Sequence, residues 1–299
     1  MQRYCLVWLA CLVCLVPVRA QTPELQSKAQ AILFVQKLQT KEGGFLADPL
    51  DPKSNRVGQP TLRATSSGVR TLKYLGGSVP DKQACIKFVA RCFDKETGGF
   101  ADMPGGKTDV FTTAVGLMAV AELKMPTEPY HAACVKFLAQ HAKTFDEIRI
   151  AVAGLEAIKA ESPQKAEWTA VVMKLEVPPK KDAAHSRLLA SKVVSLLRLG
   201  HAVDKDKLSE VLDGLRAGQR LNGGYGKDDS PKSDLESTYR VMRAFMMLKE
   251  KPASVENLMN FVAKCRNSDH GYGVAPGAPS TISGTYFAAI IMYWFEEKK

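Results

Sequence analysis

The chain is poor in what holds a disulfide-built or thiolate-metal fold together. Three of its seven cysteines (Cys5, Cys11 and Cys14) fall within the first twenty residues. The other four, Cys85, Cys92, Cys134 and Cys265, form no Cys-x-x-Cys pair, so a thiolate zinc site is not indicated. On one helix, Cys85 and Cys92 would lie two turns, about 10.5 Å, apart, too far to bridge each other. Buried thiols are the expected state, with one bridge between neighbouring helices left open. Low-complexity tracts are missing, which argues against long disordered stretches. The basic residues are dispersed, with few aromatics among them, so nucleic acid is not an expected partner.

Long apolar runs are also scarce. The run Cys5–Val16 spans 12 residues, short of the roughly 20 that a spanning helix needs. It follows Arg3 and precedes Pro17 and the small-x-small triplet Val18-Arg19-Ala20. Residues 1–20 therefore read as a cleavable export signal, leaving residues 21–299 as a secreted or periplasmic domain without a transmembrane segment. The net charge is +10, of which Arg3 and Arg19 supply two. The remaining excess reads as a solvated basic surface, suited to anionic partners.

Internal repetition is the strongest signal present. Four segments share a polar cluster followed by glycine and an aromatic. They are Gln39–Phe45, Asp94–Phe100, Gln219–Tyr225 and Asn267–Gly273. Each leads to a helix opening, at Thr61–Thr65, Asp109–Thr113, Asp234–Thr238 and Thr281–Thr285. Asp and Thr suit such openings because their side-chain oxygens cap free backbone N–H groups. Two further openings, at Asp146–Ile150 and Asp182–Ser186, lack the glycine loop. The last residues of the six openings are spaced by 48, 37, 36, 52 and 47, so the long spacings belong to the units that carry a loop.

Another amphipathic helix precedes each opening, near residues 26–38, 81–93, 129–142, 163–175, 205–217 and 254–265. The second helices are more apolar all round, as in Val110–Leu123 and Val241–Leu248, which predicts burial on most sides. Six such pairs, with neither terminal unit a polar cap, predict an all-α fold of two concentric rings, an α/α toroid whose inner six helices surround an axial cavity, with an open solenoid as the alternative.

The Gln-x-x-x-Gly-Gly-Phe loop followed by Asp-x-x-x-Thr resembles the protein prenyltransferase β-subunit repeat, over roughly residues 26–297. The motif is shared with the terpenoid cyclase toroids. The transferases hold zinc with an Asp-x-Cys at one inner-helix start and a His at the next. Here Asp234 matches the Asp, but Glu236 and Gly284 stand at the other two places. Asp146 and His185 match two places, with Ile148 between. The zinc triad is thus incomplete, and no cofactor is expected, with Asp234 and Glu236 as a partial site at most. The Arg, Lys and Tyr that grip the diphosphate in the transferases are here Asp228, Pro231 and Ser237. The Asp-x-Asp-Asp acid motif of the cyclases is missing.

The inner-helix starts should converge at one mouth, where partial positive charge and unpaired N–H groups favour anions. Arg63, Asp109, Arg149, Tyr239 and Tyr286 are the expected binding residues. Asp234, Glu236 and His185 are the candidates for acid–base or ligand roles. Asp109, Asp146, Asp182 and Asp234 also fit plain helix caps. The resulting expectation is a secreted toroid that binds an apolar or anionic ligand, or a protein segment, at its axis. The alternatives are a divergent prenyltransferase and an exported polysaccharide-active enzyme.

Overall fold

The computed structural model describes residues 23–50, 58–180, 182–228 and 230–295. The leader read at 1–20 lies outside them. Six outer helices are α1 (Pro23–Gln36), α3 (Lys82–Arg91), α5 (Glu128–His141), α7 (Lys165–Met173), α9 (Lys205–Ala217) and α11 (Val255–Lys264). They alternate with six inner ones: α2 (Leu62–Leu75), α4 (Val110–Glu122), α6 (Phe145–Ala157), α8 (His185–Arg198), α10 (Leu235–Leu248) and α12 (Ile282–Phe295). The inner helices pack in series from α2 to α12, and α12 packs back on α2. The ring is closed, as the repeat count predicts.

The glycine loops explain why the repeat has its residues. The aromatic of each loop, Phe45, Phe100, Tyr225 or Tyr272, is buried. Its backbone N–H donates to a threonine hydroxyl on the following inner helix, at 2.9 Å to Thr65, 2.9 Å to Thr113, 3.0 Å to Thr238 and 3.0 Å to Thr285. The loop is thereby anchored in the core without leaving a buried donor unmatched. The leading glutamine clips the other side. Gln39 donates to the carbonyls of Gly43 and Asp81 and accepts from the Asp81 N–H. Gln219 does the same with Gly223 and Ser254. Each thus fastens its loop to the start of the next outer helix.

In the first and third loops the first glycine of the pair is obligatory on two counts. Gly43 has φ +95°, and a Cβ there would lie 2.1 Å from the Ala84 carbonyl oxygen. Gly223 has φ +92° and would meet the Asn257 carbonyl at 1.9 Å. In the fourth loop His270 occupies this place with φ +71°.

A second system of bonds links neighbouring units around the mouth. The first N–H of α2 donates to the Asp102 carbonyl in the following loop, at 2.7 Å. That of α10 donates to Val274 at 2.7 Å, and that of α12 to Ala47, in the first loop, at 2.8 Å. The last bond joins the end of the repeat series to its beginning. A short hairpin, β1 (Tyr272–Gly273) and β2 (Ser280–Thr281), braces the final loop.

Three local expectations change. Asp182 does not cap α8, whose cap residue is Ala184 without a side-chain bond. Asp146 does not open its helix. Thr144 caps α6 in a reciprocal box with Glu147, and Asp146 lies in the first turn. The box motif Thr-x-x-Glu wins because it satisfies two backbone donors rather than one. The inner helices are also not apolar on every side. Helices α2 and α10 carry polar stripes at helical spacing, Arg63–Ser66–Ser67–Arg70–Tyr74 and Glu236–Tyr239–Arg240–Arg243, and these face the axis.

Candidate functional site

The axial cavity has a volume of about 390 Å³, within the usual range for small-molecule sites. All six inner helices contribute to its wall. Six arginines line it: Arg63 and Arg70 from α2, Arg149 from α6, Arg198 from α8, and Arg240 and Arg243 from α10. Against them stand three carboxylates, Glu122, Glu156 and Glu236. Tyr74, Tyr239, Tyr286, Phe287, Met118 and Val115 provide aromatic and apolar surface.

Every one of these carboxylates is already engaged. Glu122 pairs with Lys73 at 2.6 Å, Glu156 with Arg198 at 2.9 Å, and Glu236 with Arg240 at 2.6 Å and Arg187 at 3.6 Å. Burial alone would raise the Glu236 carboxyl, but Arg240, Arg187 and Arg149 outweigh it and hold it below the usual carboxylate range. Glu236 is therefore ionised at neutral pH, which does not suit a general acid.

The cations are crowded. Burial, reinforced by Arg240, lowers Arg149 and Arg187 from their ordinary values. Burial and Arg243 do the same to Arg198. Arg149 is held by Asp146 at 3.1 Å and Arg63 by Asp109 at 3.4 Å. Arg70 and Arg243 differ. Among the described residues neither has a carboxylate within ion-pair distance. Arg70 stacks 4.7 Å over the Tyr286 ring. Arg243 lies 4.6 Å over Trp294 and 5.5 Å from the Tyr239 ring centre, and donates to the Tyr239 hydroxyl at 3.2 Å. The Tyr286 hydroxyl donates to that of Tyr239 at 3.4 Å. Burial opposes ionisation of Tyr239, but Arg243, Arg70, the Tyr286 hydrogen bond and Arg198 together pull its phenol well below the ordinary range. Burial pushes Tyr286 the other way.

Arg63, Arg149, Glu236, Tyr239 and Tyr286 thus meet at one cavity. Asp109, Asp234 and His185 do not line it. Asp109 caps α4, accepting from the Thr112 N–H at 2.7 Å. Asp234 caps α10, with both carboxylate oxygens on Ser237. His185 faces α9 and binds the Pro178 carbonyl through Nδ1 at 2.6 Å; its buried Nε2 has no partner. Arg70, Arg198, Arg240 and Arg243 were not singled out from sequence, although their recurrence on the inner helices was visible there. The helix termini themselves contribute less than expected. The first N–H groups of α2, α10 and α12 are bonded to neighbouring loops, so the positive character of the cavity comes from guanidinium groups.

The domain model for the prenyltransferase alpha-alpha toroid matches residues 2–80, 68–138 and 128–298, nearly the whole chain. The chain belongs to this family. No curated protein matches it in sequence. Among solved structures, this toroid is similar to a glycosidase at 12% identity, TM-score 0.62, covering 92% of this chain and 98% of that one. It is similar to the ligand-free type II terpene cyclase MstE from Scytonema at 11% identity, TM-score 0.62, with coverage of 92% and 98%. A protein from Actinoplanes matches at 13% identity, TM-score 0.59, covering 91% and 98%. At these identities the likeness extends to the fold alone.

At the places where the transferases of the family hold zinc, the residues of this toroid have other partners or no donor. Asp234 is committed to Ser237 and Glu236 to arginines, and Gly284 offers no side-chain donor. At the other candidate pair, Ile148 is wholly buried in the core. No group of three His, Cys, Asp or Glu side chains suited to a metal occurs among the described residues. The four cysteines are free and buried, and burial pushes each thiol up to about 12. They are therefore neutral thiols at neutral pH. No described helix is long and apolar enough to cross a membrane.

Proposed function

We propose that this protein binds an amphiphilic anion in its axial cavity, and that binding rather than covalent chemistry is its role. One observation carries the reading: six arginines line the wall, and every carboxylate beside them is already paired. An acidic head group entering the cavity supplies the missing negative charge. The tyrosine, phenylalanine and methionine surface accepts an apolar body. Such a division between a few charged anchors and an apolar lining is typical of small-ligand sites. The reading includes export, with residues 1–20 removed; the amino-terminal sequence of protein recovered outside the cytoplasm tests that part.

Calorimetric titration with decanoate, decyl phosphate and decanol tests the binding. The two acids should bind one per protein, at least about tenfold more tightly than the alcohol, since one charge-assisted contact contributes that much. Their affinity should fall as salt rises. If neither acid binds, or if the alcohol binds equally well, the reading fails.

A further inference from the structure

Arg70 and Arg243 stand apart from the other cavity arginines. A cation drawn out of water without a carboxylate partner is costly, yet two such half-buried arginines line the same cavity. Aromatic faces hold them: Tyr286 beneath Arg70 and Trp294 beneath Arg243. Stacking fixes a guanidinium through its face and leaves its in-plane N–H donors available. Each guanidinium carries five N–H donors. Arg70 directs Nη1 at the Met118 sulfur, at 3.4 Å. Arg243 directs Nη2 at the Tyr239 hydroxyl, and its Nε is buried without a partner. The Tyr239 oxygen accepts from both Arg243 and Tyr286, the arrangement that favours a phenolate.

We propose that Arg70 and Arg243 are the anion-gripping pair of the cavity, and that an incoming oxyanion takes over from the Tyr239 phenolate as their counter-charge, with Tyr239 taking up a proton. The proposal rests on the binding role argued above and names its site and its proton balance. The ligand head is a carboxylate or a phosphate seated midway along the axis rather than at the mouth. The charged and titratable groups that line the cavity with Tyr239 are Arg63, Arg70 and Tyr74 from α2, Glu122 from α4, Arg149 and Glu156 from α6, Arg198 from α8, Glu236, Arg240 and Arg243 from α10, and Tyr286 from α12. Cations predominate among them, and all three glutamates are paired. In the empty cavity these cations stabilise the phenolate. A bound anion repels it, so the phenol regains its proton. Affinity should therefore decline as pH rises through the range in which free Tyr239 ionises.

The test is calorimetry on the full protein with decanoate and decyl phosphate near pH 8. It uses two cationic buffers of different ionisation enthalpy, because anionic buffers would compete. Binding should take up about one proton per acid, and in Y239F none. R70Q and R243Q should each weaken both acids by about thirtyfold or more, as expected when a charged hydrogen-bond pair is broken. K207Q, on the outer helix α9, should bind like the unmodified protein. Melting curves confirm that each variant is folded. If both acids bind but R63Q is the variant that weakens them, or if Y239F takes up as many protons as the unmodified protein, this inference is overturned while cavity binding stands. If neither acid binds the unmodified protein, both fall. Preference for one acid identifies the head group as carboxylate or phosphate.

Discussion

Replacing Thr238 by valine isolates the hydroxyl that anchors a glycine loop. The two side chains have nearly the same shape and helix propensity, so packing is kept. What is lost is the acceptor for the Tyr225 N–H, at 3.0 Å, and the donor to the Asp234 carbonyl, at 2.7 Å. The carbonyl keeps a partner, because the Thr238 N–H also donates to it. The Tyr225 N–H loses its hydrogen-bond partner beside a ring that is 1% exposed. An unsatisfied buried donor costs about 1–3 kcal/mol. A loss of about 2 kcal/mol should lower Tm by about 3 °C for a chain of this size. Urea unfolding should shift to a lower midpoint with an unchanged slope. Thr238→Ser is the control. It keeps the hydroxyl and loses one methyl, about 1 kcal/mol. The reasoning is refuted if the valine variant is no less stable than the serine one.

Three other outcomes are expected. Gly43→Ala should destabilise by roughly 3 kcal/mol, since it combines a left-handed φ with a backbone clash; a midpoint shift below that of Gly76→Ala, where nothing lies near the added Cβ, would contradict this. The Glu236 carboxyl is held low in the folded state, so its stabilising contribution is complete above its unfolded value and is lost as pH falls through the folded one. Melting curves from pH 7 to pH 3 should show a smaller acid loss for E236Q than for the unmodified protein. The four buried thiols, raised to about 12, should resist alkylation at pH 8 in the native protein and react fully in denaturant; rapid native labelling would show that they are more accessible than the structure has them.

The helix pairs were legible because the glycine loops repeat the same hydrogen-bond solution four times. The threonines at 65, 113, 238 and 285 are required by local geometry that recurs in every loop-bearing unit, and Gln39 and Gln219 by a clip that two of those units share. Asp109 and Asp234 were readable as caps for the same reason. Thr144 was written in the sequence as Thr-x-x-Glu and passed over in favour of Asp146. The cavity was harder to read. Arg70 and Arg243 lie far apart in the chain, on helices whose apolar content suggested burial on all sides. Their meeting depends on the rotation of each inner helix within the ring, which periodicity within one helix does not reveal. Residues near the helix starts were favoured in advance, so the mouth was found and the deeper arginines were not.

Closure of the ring by α12 on α2 gives the site an unusual dependence. Arg70 is supplied by the first inner helix and Tyr286 by the last, so the pocket comes into being only when the two extremities of the fold meet. A guest lodged there spans the seam like a latch. Occupancy should therefore be felt most strongly as slower unzipping at that junction, and hydrogen exchange along α2 and α12 becomes a gauge of whether the pocket is filled.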